Sequence, residues 1–334
     1  MEGFDLSPVD DDLPHWNTLA DSDWPTLLIG NGISINLWSH FSYSSLYVEA
    51  ALDPEAEDVF KGLGTSNFET ALEAVHHARL VVEALDGQTG DIDDLYARIR
   101  DGLFKAVNES HLPWTKFPPE TQTLIAKYLN GCMKVFTTNY DLVVYWAHLQ
   151  NAKSVNLVDF FWGPRNTFDL TDTCIYRANS TPVYYLHGAV HLWQDDDGYN
   201  GKWTNEETGD LLAVLRRYRV DMSKRPLFIS EGTSKAKARS IQRSLYLSHC
   251  LGTLSGDDQN TVIIGHSLSG QDQHIVDALN KGPTREVAVA VHRNGNSRQI
   301  IAEKARIAEA LTPHAVHFFD SRTHPLGQPD LNIG

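Results

Sequence analysis

The chain has 334 residues, 42% of them hydrophobic, and its 43 acidic against 28 basic residues give a formal net charge of −15. That length supports a substantial core, while the acidic field disfavours phosphate-backbone binding and excludes nucleic acid as a direct partner. Three scattered cysteines, Cys132, Cys174 and Cys250, form no C-x-x-C pair, so neither a disulfide framework nor a cysteine-built zinc site is expected and no metal is assigned.

Residues 1–24 read as a polar, acidic lead-in with no basic and apolar leader pattern. Leu27–Ile29 then breaks into Gly30-Asn31-Gly32-Ile33-Ser34, which predicts a buried strand, a tight turn and a helix from Ser34. Glycines let backbone approach a ligand, and a helix start suits a phosphate. A tight strand-to-helix turn needs glycine even with no ligand. The dinucleotide fingerprint is incomplete: Ile35 stands in the third glycine's place, and no acidic residue ends a second strand about twenty residues on. Phe41–Tyr47, aromatic and serine-rich, reads as a loop over the glycine turn.

Phe68, Ala71, Leu72, Val75 and Ala78 recur at helical spacing behind Asn67, a helix-capping residue. Leu95, Ile99 and Leu103, then Leu124, Ile125 and Tyr128, predict two more helices, so residues 60–131 read as a helical insertion. His76-His77 reads as a solvated edge. Strands are predicted at Lys134–Thr138, Pro182–Leu186, Thr261–Ile264, Glu286–Val291 and Ala315–Phe319. Helices are predicted at Leu142–Leu149, Leu211–Tyr218, Ser240–Leu254, Asp272–Leu279 and Ser297–Leu311, and residues 194–210 as a polar loop or flap within a second insertion of residues 190–255. Apolar strands alternating with helices predict one α/β domain over residues 1–334, a Rossmann-like parallel sheet with helices on both faces. No run of 18 apolar residues is present, so no membrane helix is expected, and the cysteine usage fits a reducing cytoplasm.

Four apolar strands end in small or polar residues: Gly30-Asn31-Gly32, Thr138-Asn139-Tyr140-Asp141, His187-Gly188 and Gly265-His266-Ser267. Ligands of open α/β sheets bind beyond the carboxyl ends of the strands, so these segments share one structural address. Each also has a plain structural reading: an Asx turn for Asn139 and Asp141, a satisfied buried histidine for His187 and His266.

In order and wording these segments resemble the sirtuin superfamily, with its G-A-G-x-S loop, T-Q-N-x-D, H-G and G-x-S. They are similar to its bacterial antiphage-defence branch, which shares T-T-N-Y-D, here Thr137–Asp141. Sirtuin deacylases carry a zinc ribbon of two C-x-x-C pairs, which this chain lacks. The resemblance therefore implies the family's other activity, hydrolysis of NAD to nicotinamide and ADP-ribose, with NAD as substrate. It implies that Gly30, Asn31 and Gly32 cradle the pyrophosphate with Ser34 nearby, and that Thr138 and Gly265 belong to the same binding site. Asn139 would bond the ribose or position water, Asp141 would contact the carboxamide or the developing cation, and His187 would act as general base. Ser267 and Asn294 would line the adenosine half. A defence NADase also requires an off state, set by homo-oligomerisation or by a partner such as a co-encoded ATPase or helicase.

Two other readings compete. Gly265-His266-Ser267-Leu268-Ser269 resembles a nucleophile elbow one position short of G-x-S-x-G, with Asp277 and His314, His317 or His324 following. Alternatively, the cleft binds NAD or ADP-ribose without turnover, as a sensor or a scaffold subunit.

Overall fold

A computed structural model describes residues 10–174, 179–204, 218, 221, 223–230, 232–293 and 295–334. In chain order its strands are β1 (Thr26–Ile29), β2 (Lys134–Thr137), β3 (Leu157–Val158), β4 (Thr181–Tyr185), β5 (Gly188–Asp195), β6 (Asn200–Lys202), β7 (Lys224–Phe228), β8 (Thr261–Ile264), β9 (Glu286–Val291) and β10 (Ala315–Asp320). Seven of them form one parallel sheet in the order β10-β9-β8-β1-β2-β4-β3. This is the expected Rossmann-like α/β architecture. The central strands β1 and β8 are buried at every position, as strands covered on both faces must be. Leu28 lies in register between Phe136 and Ile263. At the opposite end from the site, the fully buried Asp257 accepts hydrogen bonds from Thr26 Oγ1 at 2.9 Å and from Lys134 Nζ, tying the starts of β1 and β2 together.

The connection from β1 to β2 carries six helices: Asn31–Leu37, Tyr43–Glu49, Pro54–Leu63, Phe68–Ala84, Gly90–Glu109 and Pro119–Asn130. The residues read as a loop over the glycine turn are instead a helix from Tyr43, because Ser42 Oγ accepts the Ser45 N–H and caps it. Asn67 caps the Phe68–Ala84 helix as expected, accepting from Glu69 N at 2.9 Å. Its buried stripe ends at Val75, and Ala78 faces solvent.

Of residues 194–210, read as a polar loop or flap, 205–210 lie outside the described residues, and the rest is partly strand. β5 pairs antiparallel with β6 and β7 as a second, three-stranded sheet. Two tryptophans explain the order: Lys224 Nζ lies 4.2 Å above the Trp193 ring and 4.3 Å above Trp203, closing the sheet over an otherwise acidic segment. The helix read at Leu211–Tyr218 lies outside the described residues except for Tyr218. Ser240–Leu254 is two helices, Ser234–Gln242 and Leu245–Ser255, interrupted where Ser244 Oγ caps the second by accepting from Leu247 N at 3.1 Å. Among the described residues no helix is long and apolar enough to cross a membrane.

β1 and β8 are joined beyond their ends by glycine packing. Gly30 N donates to Ile264 O at 2.9 Å and Gly32 N to Gly265 O at 2.8 Å. A Cβ on Gly30 would fall 2.4 Å from the Gly265 carbonyl oxygen, and one on Gly265 would fall 2.7 Å from Gly30 O. Gly265 also has φ +72°, which a side chain would strain. Gly265→Ala is expected to lower unfolding free energy by more than about 2 kcal/mol in urea denaturation. Gly270→Ala, at a site with nothing within 4 Å of the added methyl, is expected to change it by less than about 0.5 kcal/mol.

Several buried histidines are structural. His111 bridges Leu112 O at 2.9 Å and Leu142 N at 2.7 Å, so its Nδ1 carries the proton and its Nε2 accepts. Burial pushes His191 and His324 down to about 3 and also lowers His111. These rings are neutral when folded and bind protons first when unfolded. Their stabilisation is therefore complete above about 6.5 and is lost as pH falls from there towards about 3. The unfolding free energy is expected to fall steadily on acidification below pH 6.5, by about 1.4 kcal/mol per pH unit for each such histidine, and the melting temperature with it. Scanning calorimetry across that range checks it.

Candidate functional site

β1, β2 and β8 are adjacent, so their carboxyl ends converge at the point where the strand order reverses. A cavity of about 280 Å3 opens there. Asn31, Gly32, Thr138, Asn139, Asp141, His187, Gly265 and Ser267 all line it, although they come from four distant segments. Gly30 lies in the glycine contact beneath, Ser34 is fully buried behind the wall, and Asn294 lies outside the described residues. The N–H groups of Gly32 and Ile33 are already bonded, to Gly265 O and Gly30 O. The glycines here are therefore demanded by backbone packing, whatever they also face.

Behind β2 the chain turns sharply into the helix Val143–Asn151. Asp141 Oδ1 accepts the Val143 N–H at 2.8 Å, which is the Asx turn. Its other oxygen accepts Ser34 Oγ–H at 2.6 Å, and Ser34 Oγ in turn accepts from Asn139 Nδ2 at 2.9 Å. This chain orients the Asn139 amide, and it leaves Asn139 Oδ1 buried with no partner. A buried acceptor without a donor costs free energy, commonly about 1–3 kcal/mol, and Asn139 is one of the residues that line the cavity.

His187 occupies the turn from β4 to β5. Gly188 follows at φ +74°, where a Cβ would fall 2.0 Å from Leu227 O, so β7 closes directly over the histidine. His187 Nε2 is 2.8 Å from His274 Nε2 and 3.8 Å from Asp272 Oδ1. Asp272 Oδ1 accepts from the fully buried Lys237 Nζ at 2.8 Å, and Glu69 Oε1 lies 3.0 Å from the same ammonium. The second oxygen of Asp272 is 3.4 Å from His266 Nε2.

The electrostatics arise from this packing. Burial holds the His187 imidazolium disfavoured and its pKa well below 6.5, against the pull of Asp272. Burial likewise lowers His274 to about 4. Burial also raises Glu69, against the opposing pull of Lys237. For Asp272 burial alone would raise the pKa, but His266, with Nε2 3.4 Å away, and the Lys237 ammonium hold it well below the carboxylate range. Burial alone would also lower Lys237, and its two carboxylates outweigh that and raise it. His187 is thus a neutral base beside a fixed anion at neutral pH. His187, Asp272 and His274 bring three potential ligand atoms within 4.8 Å of one another, yet Lys237 already pairs with the one carboxylate among them.

A second cavity of about 400 Å3 lies on the far side of the glycine contact and shares Gly32, Ile35, Gly265, His266 and Ser267 with the first. Ser267 is exposed at its rim, and the left-handed residues are its neighbours Gly265 and Leu268, not the serine. His314 bonds Leu279 O at 3.0 Å and His324 bonds Tyr128 Oη at 2.7 Å, so neither is directed at Ser267 as an elbow would need.

Sequence reasoning missed Glu69, Lys237, Asp272 and His274, and took His266 only as a buried histidine. One signal was available: Asp272 and His274 sit two apart at a helix start just beyond the Gly265–Ser267 segment.

Among curated proteins none matches the chain. Solved structures that are similar include Sir2Tm bound to a propionylated peptide, at 14% identity over 88% of this chain and 95% of that one, TM-score 0.34. A Sir2 variant with a deacetylated p53 peptide and 3'-O-acetyl ADP-ribose matches at 14% identity with the same coverage and TM-score 0.37. A complex of Sir2, p53 peptide and NAD+ matches at 14% identity over 88% of this chain and 95% of that one, TM-score 0.32. Superpositions this loose transfer nothing to the site, which stands on its own residues. Residues 27–326 match the family described as Domain of unknown function (DUF4917), and the chain belongs to that family.

Proposed function

We propose that the chain is an NAD+ glycohydrolase that cleaves NAD to nicotinamide and ADP-ribose. The observation that carries this reading is the convergence in one cavity of a neutral buried base, His187, and an unpartnered buried acceptor, Asn139 Oδ1. The two cavities meeting across Gly32 and Gly265 suit the two halves of a dinucleotide. The order of the strand-end motifs supports the same substrate.

The chemistry is undemanding of acid catalysis. As the C1'–N bond breaks, its electron pair neutralises the pyridinium nitrogen, and nicotinamide leaves without a proton. Positive charge develops at C1', and the anionic side of the cavity, Asp141 and Asp272, stabilises it electrostatically. Asn139 Oδ1 accepts from a ribose hydroxyl, while Ser34 and Asp141 hold the amide in that orientation. Water then bonds to C1', and its proton passes to His187. Apolar Phe41, Leu46, Leu103 and Val107 line the remaining wall and exclude competing solvent. Unrestrained activity of this kind would exhaust a cell's NAD, so a role in antiphage defence by NAD depletion requires control by self-association or by a partner protein.

Chromatography of nicotinamide and ADP-ribose after incubation with NAD tests the proposal. His187→Ala and Asn139→Ala are each expected to lower kcat by about 10²-fold or more. Ser34→Ala, which frees the Asn139 amide to rotate and takes a donor from Asp141, is expected to lower it by about tenfold. NAD binding without nicotinamide release at any protein concentration, unchanged by adding the controlling partner protein, would establish the sensor reading instead. Labelling of Ser267 by a phosphonate probe with loss of activity would establish the serine hydrolase.

A further inference from the structure

His187 does not stand alone. Its Nε2 faces His274 Nε2 at 2.8 Å, and two neutral imidazoles at that distance must share one N–H between them. The other nitrogen of His274, Nδ1, lies 3.0 Å from Ser234 Oγ, which also accepts the His274 backbone N–H at 2.7 Å. His274 is on the helix Gln273–Lys281, whose other buried positions, Ile275, Val276, Ala278 and Leu279, are apolar.

We propose that His187 and His274 work as one proton-accepting pair, with His274, anchored by Ser234, as the positioning residue that sets which nitrogen of His187 is free. The proposal rests on the hydrolase reading above. With Nε2 engaged by His274, Nδ1 is the nitrogen of His187 left to meet a hydroxyl or water in the cavity. In the reactive tautomer His187 Nε2–H donates to His274 Nε2 and Nδ1 is bare. The O–H bond of the attacking water breaks and a His187 Nδ1–H bond forms. The Nε2 proton then passes to His274 Nε2, so the positive charge spreads over two rings, with no net change beyond the one proton gained.

The groups facing the pair come from every packed element. Asp272 and, at His274, Asp277 favour its protonation, whereas Lys237 and His266 oppose it. Glu69 lies behind Lys237, and the Tyr140 ring stacks on His187 at 6.3 Å. Removing the His274 ring opens His187 to water and relieves the burial that disfavours its imidazolium, so the His187 pKa should rise towards its ordinary value.

Histidine-labelled NMR titration without NAD, together with the pH profile of nicotinamide release, tests this. In the wild type His187 is expected to stay neutral well below pH 6.5. In His274→Ala its titration should move up, and the acid limb of kcat should move with it. At neutral pH kcat should fall by about 10–100-fold with KM changed by less than about threefold. His274→Gln, whose amide N–H stands where Nε2–H stood, should recover most of that loss, and Ser234→Ala should lose about fivefold. An unchanged His187 titration in His274→Ala, or equal losses in the Ala and Gln variants, would overturn the pair. So would one equivalent of Zn2+ retained through dialysis with both rings shifted, which would make them a ligand set. The titration needs no turnover: a wild type that releases no nicotinamide at any protein concentration or with its controlling partner defeats the hydrolase reading, while the titration still decides the pair.

Discussion

The site depends on a contact between bare backbones. Gly30 and Gly32, leaving β1, lie against Gly265, leaving β8, at separations that no side chain tolerates. This contact lets the two central strands turn together, and it is the floor on which both cavities open. Wherever a ligand sits along these strand ends, it meets main chain rather than side chains at that point.

Above that floor the walls are polar, and three remote parts of the chain build them. Glu69 comes from the helices between β1 and β2, Lys237 from the helix following β7, and Asp272 from the segment beyond β8. Tyr140 adds a fourth tie, its hydroxyl donating to Ile229 O at 2.6 Å. The helices inserted after β1 are therefore part of the site's wall. His111 binds the same region to the loop that carries Asn139 and Asp141, through the N–H of Leu142.

Much of the sheet was legible because buried parallel strands write themselves as short apolar runs. Thr261–Ile264 and Glu286–Val291 match their predicted limits residue for residue. The strand-end residues were legible for the same reason: the residues just past each apolar run sit at the carboxyl edge of the sheet, where the cavity opens. Other parts were hidden for physical reasons. β5 through β7 carry polar residues whose order comes from tryptophans and a lysine meeting only in three dimensions. The two-turn helix at Tyr43 rests on a serine cap rather than on a long apolar period. Lys237, in a helix of mixed charge, looks solvated until its two carboxylates are seen around it. Pairings between residues far apart leave no local pattern.

That buried ammonium makes three positions unequal. Lys237 stands between two carboxylates, so loss of either one still leaves it a partner. Loss of the lysine strands both carboxylates inside the protein, at a cost of about 3–5 kcal/mol, comparable to a large share of a domain's stability. Position 237 is therefore the keystone of the trio, the one whose single replacement the other two cannot absorb.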